Sequence, residues 1–491
     1  MEGPEQKGFV IQPDLRDAAR HEMIREGFEP DFPEAARKEV AALAGARPAA
    51  PKARDLRHLL WSSVDNPESR DLDQVEYVED LPNGRTKVMV GIADVDSLVT
   101  QASATDLHAG RNTTSVYCGV TMFPMLPEAL STGLTSLNEA VDRLVVVIEL
   151  TVEVDGTVSA REAYQALIHN HAQLDYPSVG AWLEDRGPAP AKIAASGALA
   201  DQLRMQDRVA RAMRGQRHRA GALDLETIET TAVTTNGRIT DLAVHRKNRA
   251  TMLIEDFMIC ANVAMAKLLE DRQVSSIRRV VKAPERWDRM VVLAKALGDT
   301  LPEAPNSAAL AQFIARRRTA DPDHFPDLSM SIVKLMGPGL YEIQRPGQTS
   351  DGHFGLAVDD YTHSTAPNRR YADLITQRLV KAAMGAKSAS YQDAELDAIA
   401  ARCTKMEDAA KKVERTCRKQ AAALYLATRV GETFDAIVTG ANAKGTFVRT
   451  LHPSAEGMVI KGQQGMDVGD RVRVKLVGAN ADRGFIDFVG Q

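Results

Sequence analysis

Residues 64–74 read Val64-Asp65-Asn66-Pro67-Glu68-Ser69-Arg70-Asp71-Leu72-Asp73-Gln74. An apolar run follows and ends in Ile92-Ala93-Asp94-Val95-Asp96. Carboxylates crowded onto one loop repel each other and lose solvation, so the cluster is costly unless a cation neutralises it. Ligands that are all oxygen suit a hard cation, Mg²⁺ or Mn²⁺, better than zinc. The stretch therefore predicts a site for a catalytic metal ion.

The ordinary alternative for acidic residues between two strands is a solvated turn. A second motif, far downstream, favours a functional site instead. It reads His363-Ser364-Thr365-Ala366-Pro367-Asn368-Arg369-Arg370-Tyr371-Ala372-Asp373 and leads into an apolar helical pattern. Arginine offers a planar fork that matches phosphate oxygens, which a metal loop alone would not need. Together the two motifs favour a site for a phosphate-containing substrate.

The ordered set of motifs resembles that of ribonuclease II-type (RNB-domain) 3′-to-5′ exoribonucleases. The residues that carry the likeness are Asp65, Asp71 and Asp73; Ile92-Ala93-Asp94-Val95; Tyr117 with Pro124-Met125-Leu126-Pro127 and Leu130-Ser131; Leu253-Ile254-Glu255-Asp256-Phe257-Met258 with Asn262; and Pro367 with Arg369-Arg370-Tyr371-Ala372-Asp373. Each motif is weak alone, but their order over residues 54–426 is specific. The resemblance implies an RNB catalytic domain.

A chain of 491 residues is long enough for about three domains. Residues 1–50 predict a small helical module, in which Asp14 caps one helix and Pro33 starts another. Residues 47–51 are typical of a linker. The module stands where better-known members of the family carry cold-shock-type barrels. Two interpretations stay open, a helix-turn-helix-like nucleic-acid binder and a clasp that packs on the catalytic domain.

The catalytic domain is predicted to extend over residues 52–428. Strand patterns come early, at residues 87–92 and 144–152. Helical patterns come later, at residues 201–214, 251–269, 308–317, 371–384 and 394–426. This order favours an α+β fold over a doubly wound sheet.

Residues 431–491 predict a third domain. Segments 431–440 and 469–476 alternate apolar and polar residues with the period of a strand, and shorter strands are expected at 445–448 and 484–488. With its glycine turns and exposed aromatic residues, this segment resembles an S1 domain, a five-stranded oligonucleotide-binding barrel. Phe447 is the aromatic residue that we expect to contact RNA there.

The formal charge of −5 means that a nucleic-acid partner would need a local basic surface. Arg204, Arg208 and Arg211 lie at helical spacing and share a face. Within the resemblance we expect this face to bind phosphate, with a solvated helix face as the alternative.

The four cysteines form no Cys-x-x-Cys pair, which argues for a reducing compartment and against zinc. No export signal is visible in residues 1–7, and charged residues interrupt the apolar helical pattern of residues 252–269. We therefore expect a cytoplasmic protein that does not bind membranes. We also expect it to be a monomer.

For hydrolysis of a phosphodiester, the resemblance implies two metal ions about 3.5 to 4 Å apart, held by Asp65, Asp71 and Asp73. Asp73 is the position expected to be least replaceable for turnover. Gln74 stands where the family usually has a fourth aspartate. Its amide oxygen can ligate a hard cation but contributes no negative charge. We therefore expect weaker binding of one metal ion, and a higher Mg²⁺ requirement or a preference for Mn²⁺.

The resemblance also implies residues that bind RNA. Arg369 matches the family's phosphate-contacting arginine, and Arg370 beside it is also expected to bind RNA. Tyr117 matches the aromatic residue that stacks on the terminal nucleotide, whereas Glu255 and Glu414 match positions that contact sugars or bases. The structural alternatives are a surface salt bridge for the arginines, a core position for Tyr117 and a helix-dipole role for Glu255.

The function expected from the sequence is processive 3′-to-5′ hydrolysis of single-stranded RNA. A free 3′ end would enter the site, and nucleoside 5′-monophosphates would leave it. One rival is a non-catalytic RNA-binding protein that lacks turnover because of Gln74. A second rival is an endonuclease or a DNA nuclease built on the same scaffold.

Overall fold

The computed structural model describes residues 14–43, 45, 50, 52–226, 229–235, 238–322, 324–385, 390–442 and 445–491. It begins with two helices, α1 (Leu15–Arg25) and α2 (Glu34–Ala42). Asp14 caps α1 as predicted, because its side chain accepts a hydrogen bond from the N–H of Arg16 at 2.9 Å. The predicted linker lies outside the described residues except for residue 50.

The catalytic domain mixes strands with helices. Its first part contains β1 (Arg54–Asp55), β2 (Trp61–Asp65), β3 (Gln74–Asp80), β4 (Thr86–Ala93), α3 (Ala104–Asn112), β5 (Val116–Tyr117), β6 (Met122–Phe123), β7 (Asp142–Val152), β8 (Val158–Asp175), α4 (Tyr176–Leu183), α5 (Ala191–Ala194) and α6 (Gly197–Arg219). Its second part contains β9 (Glu229–Thr235), β10 (Arg238–His245), α7 (Arg249–Asp271), β11 (Ser276–Val280), α8 (Trp287–Ala296), α9 (Ser307–Ala320), α10 (Phe325–Met336), β12 (Leu340–Gln344), α11 (Tyr371–Ala383) and α12 (Asp393–Leu426). The predicted elements fall on β4, β7, α6, α7, α9, α11 and α12, and the α+β prediction is confirmed.

A six-stranded sheet with the order β1-β8-β2-β3-β4-β7 forms the centre of the catalytic domain. The long strand β8 pairs antiparallel with β7 through residues 158–169 and parallel with β2 through residues 170–175. The sheet therefore closes on itself, because β8 pairs with β2 and also with β7 at the far edge. Strands β2 and β3 pair only at Ser62 and Glu76 before they diverge. Beyond that point Gln202 of α6 bonds the N–H and the C=O of Val78, at 3.1 and 2.7 Å, and covers the edge of β3.

The basic face predicted on α6 is engaged by acidic residues of the same chain. Each of its three arginines makes an ion pair, at 3.6, 2.7 and 3.2 Å respectively. The pairs are Arg204 with Asp201, Arg208 with Asp80, and Arg211 with Asp207. This arrangement favours a solvated helix face over a phosphate-binding surface, because phosphate would have to compete with these carboxylates.

The helical module packs directly on the catalytic domain. Met23 of α1 and Phe28 belong to one buried apolar cluster with Met406 and Val413 of α12. The carboxylate of Glu39 in α2 accepts hydrogen bonds from the first two N–H groups of α3, at 2.7 and 2.9 Å. These contacts favour the interpretation of the module as a clasp that packs on the catalytic domain. Binding of nucleic acid by the module stays a prediction.

The third unit is a closed barrel of five strands. They are β13 (Thr433–Asn442), β14 (Gly445–Thr450), β15 (Glu456–Lys461), β16 (Arg471–Asn480) and β17 (Phe485–Gly490), with the order β13-β14-β15-β17-β16. The predicted five-stranded barrel is confirmed, although β15 had no predicted segment. Phe447 lies half-buried on β14. The barrel core is continuous with Ala423 and Leu426 at the end of α12. Within the described ranges, no helix is both long enough and apolar enough to cross a membrane.

Candidate active site

The aspartate loop connects β2 to β3 and is pinned at its centre. Leu72 is fully buried, its N–H donates to Oγ of Ser136 at 3.0 Å, and its C=O accepts from the N–H of Leu137 at 3.0 Å. Asp71 and Asp73 flank this fixed residue. The loop therefore presents their carboxyl groups from a rigid segment, not from a solvated turn.

Asp73 is the most enclosed of the three aspartates, with 3% of its surface exposed. Its Oδ1 accepts the backbone N–H of Asn368 at 3.0 Å, and its Oδ2 lies 3.4 Å from Nε of Arg369. Burial raises the pKa of Asp73 to about 7, although Arg369 and the Asn368 N–H favour the charged form. A cation bound beside this carboxyl group would favour its charged form.

Asp65 and Asp71 lie beside it. Oδ1 of Asp65 accepts hydrogen bonds from Oγ of Ser69 at 2.9 Å and from the N–H of Asn66 at 2.7 Å. Burial, reinforced by the charge of Asp65, raises the pKa of Asp71. Gln74 is 8% exposed and begins β3. The structure thus places all four predicted metal-binding positions at the neighbouring ends of β2 and β3.

The donor chemistry of this group fits a hard cation, because every candidate ligand is an oxygen and the carboxyl groups disfavour each other's charge. The described residues nevertheless contain no group of three or more His, Cys, Asp or Glu side chains close enough to form a ready metal cluster. A cation would have to draw the aspartates closer together than they lie here.

The two arginines of the downstream motif pair with different carboxylates. Arg369 points to Asp73 and keeps 44% of its side chain exposed, so it can also meet a ligand. Arg370 instead makes a two-pronged pair with Asp373, at 2.9 and 2.8 Å, and Asp373 is fully buried. The Asp373 carboxylate also accepts the N–H of Ala366 at 2.8 Å. Arg370 therefore shapes the turn from which Arg369 projects.

Alternating aromatic and histidine rings support this turn. Nδ1 of His363 is hydrogen-bonded to the hydroxyl of Tyr341 at 2.8 Å, and the ring of Tyr361 contacts both His363 and His353. Nδ1 of His353 accepts the N–H of Leu356 at 3.2 Å. Burial lowers the pKa of His353 to about 4 and that of His363 well below its ordinary value. Both histidines therefore contribute to the packing of the turn.

The low pKa of His353 predicts a loss of stability in acid. The unfolded chain takes up a proton at the ordinary histidine pKa of about 6.5, whereas folded His353 stays neutral, so stability falls as pH drops from 6.5 towards 4. The contribution of His353 to this loss is at most about 3 kcal/mol. Urea unfolding at pH 5 and pH 7 measures it. His353→Gln should weaken the dependence of the free energy of unfolding on pH. His58→Gln, at an exposed position, is the control and should leave that dependence unchanged. The same pH dependence in both variants would contradict the assignment of this effect to His353.

Tyr117 and Glu414 meet at the same turn. The N–H of Ser115 donates to the C=O of Arg369 at 3.0 Å, which fixes the segment leading to Tyr117 beside the arginine turn. The N–H of Tyr117 donates to Oε1 of Glu414, on α12, at 3.1 Å. Tyr117 is 44% exposed. It is therefore not a core residue, and its ring is available to a ligand.

Glu255 lies across the site on α7 and is 42% exposed. Both of its oxygens pair with Nζ of Lys247, at 2.8 and 2.7 Å. Tyr176, at the start of α4, lies within electrostatic range of Asp65, Arg369 and Glu255, and burial raises its pKa. Phe447 belongs to the separate barrel, so it is not part of this group.

Asp94 and Asp96, which end the apolar run, do not join the aspartate loop. Nζ of Lys381 lies 2.7 Å from Asp94 and 2.8 Å from Asp96, and Nε of Arg378 lies 2.9 Å from Asp96. Both basic side chains come from α11 and are buried. This charge cluster fastens α11 to the end of β4.

Three residues of the site were not predicted. Asn368 holds Asp73 through its backbone, Tyr176 follows the last residue of β8, and Glu76 lies fully buried on β3. Asn368 could have been singled out by its place inside the arginine motif. Glu76 could have been noticed as an acidic residue two positions after Gln74 in a strand. No feature of the sequence indicated that Tyr176 would lie near the site.

Comparison with known proteins matches two family models to this chain. The RNB domain matches residues 53–386, and the RNase II-type exonuclease C-terminal S1 domain matches residues 432–490. The first match covers the aspartate loop, Tyr117, Glu255 and the arginine turn, whereas Glu414 lies beyond it.

Individual relatives agree with these models. Ribonuclease R of Thermotoga maritima is 30% identical over 99% of this chain and 72% of its own length. Ribonuclease R of Vibrio parahaemolyticus is 29% identical over 93% of this chain, which spans only 58% of that protein. The apo form of Mycoplasma genitalium RNase R shares the fold, with a TM-score of 0.85 and 23% identity over 97% of this chain and 78% of that chain.

Proposed function

Because this chain belongs to the RNB-domain family and carries a ribonuclease II-type S1 domain, we propose that it is a processive 3′-to-5′ exoribonuclease. It would hydrolyse single-stranded RNA from a free 3′ end and release nucleoside 5′-monophosphates. One observation carries the proposal. Asp73 is held between the N–H of Asn368 and the guanidinium of Arg369, beside the exposed ring of Tyr117.

Bound Mg²⁺ or Mn²⁺ would supply an activated water and neutralise charge on the phosphoryl group. Asp65, Asp71 and Asp73 would hold the metal through carboxylate oxygens and Gln74 through its amide oxygen. The exposed part of Arg369 would donate to phosphoryl oxygens as charge develops on them. The backbone N–H of the residue before it would keep the Asp73 carboxyl group oriented.

The RNA strand would be held mainly by stacking, which does not depend on the base. A base on the exposed face of Tyr117 would contribute about 1 to 3 kcal/mol. Glu414 fixes the backbone of that residue, and Glu255 is placed to accept from a ribose hydroxyl if Lys247 releases it. Phe447 would contact the strand on the barrel.

The test is digestion of a single-stranded RNA labelled throughout its length, with an equal DNA strand beside it, in Mg²⁺ and in Mn²⁺. Release of mononucleotides from the RNA, with long strands persisting beside the final short product, is expected. Internal fragments would indicate an endonuclease, and equal cleavage of DNA would indicate a DNA nuclease. RNA binding without mononucleotide release in either metal would indicate the non-catalytic alternative.

The non-catalytic alternative is based on Gln74. Substitution of this residue also gives a quantitative prediction for the Mg²⁺ requirement. Gln74→Asp adds a negative charge beside Asp73, so we expect the Mg²⁺ concentration for half-maximal activity to fall by about tenfold, the effect of about 1.4 kcal/mol of added cation binding. Activity measured across a Mg²⁺ series tests this. An unchanged metal dependence would show that the amide does not limit metal binding.

A further inference from the structure

Two aromatic rings are found among the large apolar side chains that are exposed in the described part of the chain. Tyr117 is 44% exposed beside the arginine turn, and Phe485, which begins β17 of the barrel, is 58% exposed. The other exposed large apolar side chains are not aromatic. Exposed rings are the side chains on which the bases of single-stranded RNA stack. The surface between the two rings decides whether one strand can use both.

Helix α12 connects the two rings. Near its middle, Oε1 of Glu414 accepts the N–H of Tyr117 at 3.1 Å. Further along the helix, Lys419 contacts the turn before β17, because a Cβ added at Gly484 would lie 2.8 Å from Cβ of Lys419. Phe485 is the next residue after that glycine. The two contact points are about 7.5 Å apart along the helix axis, so a single extended strand can reach both rings.

A group of basic residues, the α12 stripe, lies between these contacts and consists of Arg415, Arg418 and Lys419. All three side chains are exposed, and their spacing places them on one face of the helix. In the preceding turn, Lys411 pairs with an acidic side chain at 2.8 Å. No ion pair within the described ranges joins a member of the α12 stripe to an acidic side chain. Arg483, exposed in the turn before β17, extends the basic surface onto the barrel.

The α12 stripe thus differs from the basic face of α6, where a carboxylate engages each of the three arginines. A phosphate that approaches the α12 stripe has no such ion pair to displace. Single-stranded RNA offers phosphates for the charges and bases for the rings at the two ends. An acidic protein segment would match the charges alone. Charge and aromatic exposure together therefore favour RNA as the occupant of this surface.

We propose that the α12 stripe and Phe485 bind the part of a single-stranded RNA that lies 5′ of the nucleotide at Tyr117. This inference rests on the proposed function and adds a second contact region to it. Phosphates of the strand pair with the guanidinium and ammonium groups, and a base stacks on Phe485. Because α12 also contributes Ala423 and Leu426 to the core of the barrel, the surface is continuous from the catalytic domain to the barrel.

The experiment measures binding of a fluorescent single-stranded RNA by anisotropy over a salt series, without divalent cations, so that the strand is not hydrolysed. The triple variant Arg415→Gln, Arg418→Gln and Lys419→Gln should reduce the slope of log affinity against log salt by about 2, since each phosphate contact on a single strand contributes about 0.7. Arg415→Lys with Arg418→Lys keeps the charges and should keep the slope. Phe485→Ala should weaken binding by about 5- to 100-fold with little change in slope.

The matched control removes three charges from the engaged face of α6, by Arg204→Gln, Arg208→Gln and Arg211→Gln, and should bind RNA with the parent's slope. Circular dichroism confirms that each variant is folded. If the triple variant of the α12 stripe does not fold, Arg418→Gln alone replaces it, with an expected reduction in slope of about 0.7. A folded stripe variant with the parent's slope overturns the inference, while hydrolysis of RNA by the parent leaves the proposed function standing. A parent chain that neither binds nor hydrolyses RNA overturns both.

Discussion

Asp73→Asn is expected to abolish hydrolysis of RNA while RNA binding persists. The substitution keeps the acceptor for the Asn368 N–H but removes the carboxylate oxygen that lies 3.4 Å from Nε of Arg369. It also removes one ligand of the proposed cation site. Loss of such an element typically lowers kcat by about 10²- to 10³-fold, whereas the RNA binding that we propose for Tyr117 and the barrel does not use Asp73.

Single-turnover digestion of labelled RNA and a filter-binding assay measure the two effects separately. Asp201→Asn, the same chemical change on the exposed face of α6, is the matched control and should leave both quantities unchanged. Residual hydrolysis within tenfold of the parent rate would show that Asp73 is not part of the catalytic site. Parallel loss of RNA binding would show that the substitution disturbs the fold of the loop.

Arg369→Ala and Arg370→Ala are expected to have opposite consequences although the residues are neighbours. Arg369 is partly exposed beside Asp73, so its loss should lower kcat by about 10²- to 10³-fold and change the free energy of unfolding by less than about 1 kcal/mol. Arg370 is bound to buried Asp373, so its loss leaves an uncompensated carboxylate and should cost about 3 to 5 kcal/mol of stability.

Urea unfolding and steady-state kinetics on both variants, at matched protein concentration, separate these effects. Double substitution of Arg370 and Asp373 by uncharged residues should restore part of the stability, because no buried charge is then left alone. Equal stability losses for the two single variants would contradict the assignment of Arg369 to the reaction and of Arg370 to the turn.

Much of the fold followed from periodicity and capping alone. Asp14, the alternation in the barrel strands and the long charged pattern of α12 all act locally, and local signals survive in the final structure. The six-stranded sheet did not follow in the same way. Its closure depends on the two halves of β8 pairing with different strands, which is a long-range property.

The site shows the same division. Motif order brought Asp73, Arg369, Tyr117 and Glu414 into one expected site, and the structure places them together. The resemblance singled out Arg369, but residue chemistry alone does not separate it from Arg370, because the two arginines differ only in the carboxylates with which they pair. The arginines of α6 were expected to bind phosphate, but their pairing with acidic side chains depends on the folded structure and could not be read from the sequence.

The clasp formed by α1 has a thermodynamic consequence for the RNA-binding site that we propose. Val116 and Cys118 flank Tyr117 and belong to the same buried cluster as Met23 and Phe28. If a ligand at Tyr117 stabilises this cluster and so the packing of α1, linkage requires the packing of α1 to favour the ligand by the same free energy. A strand bound at Tyr117 would make the N-terminal helices harder to detach, so the module can report occupancy of the site without touching RNA.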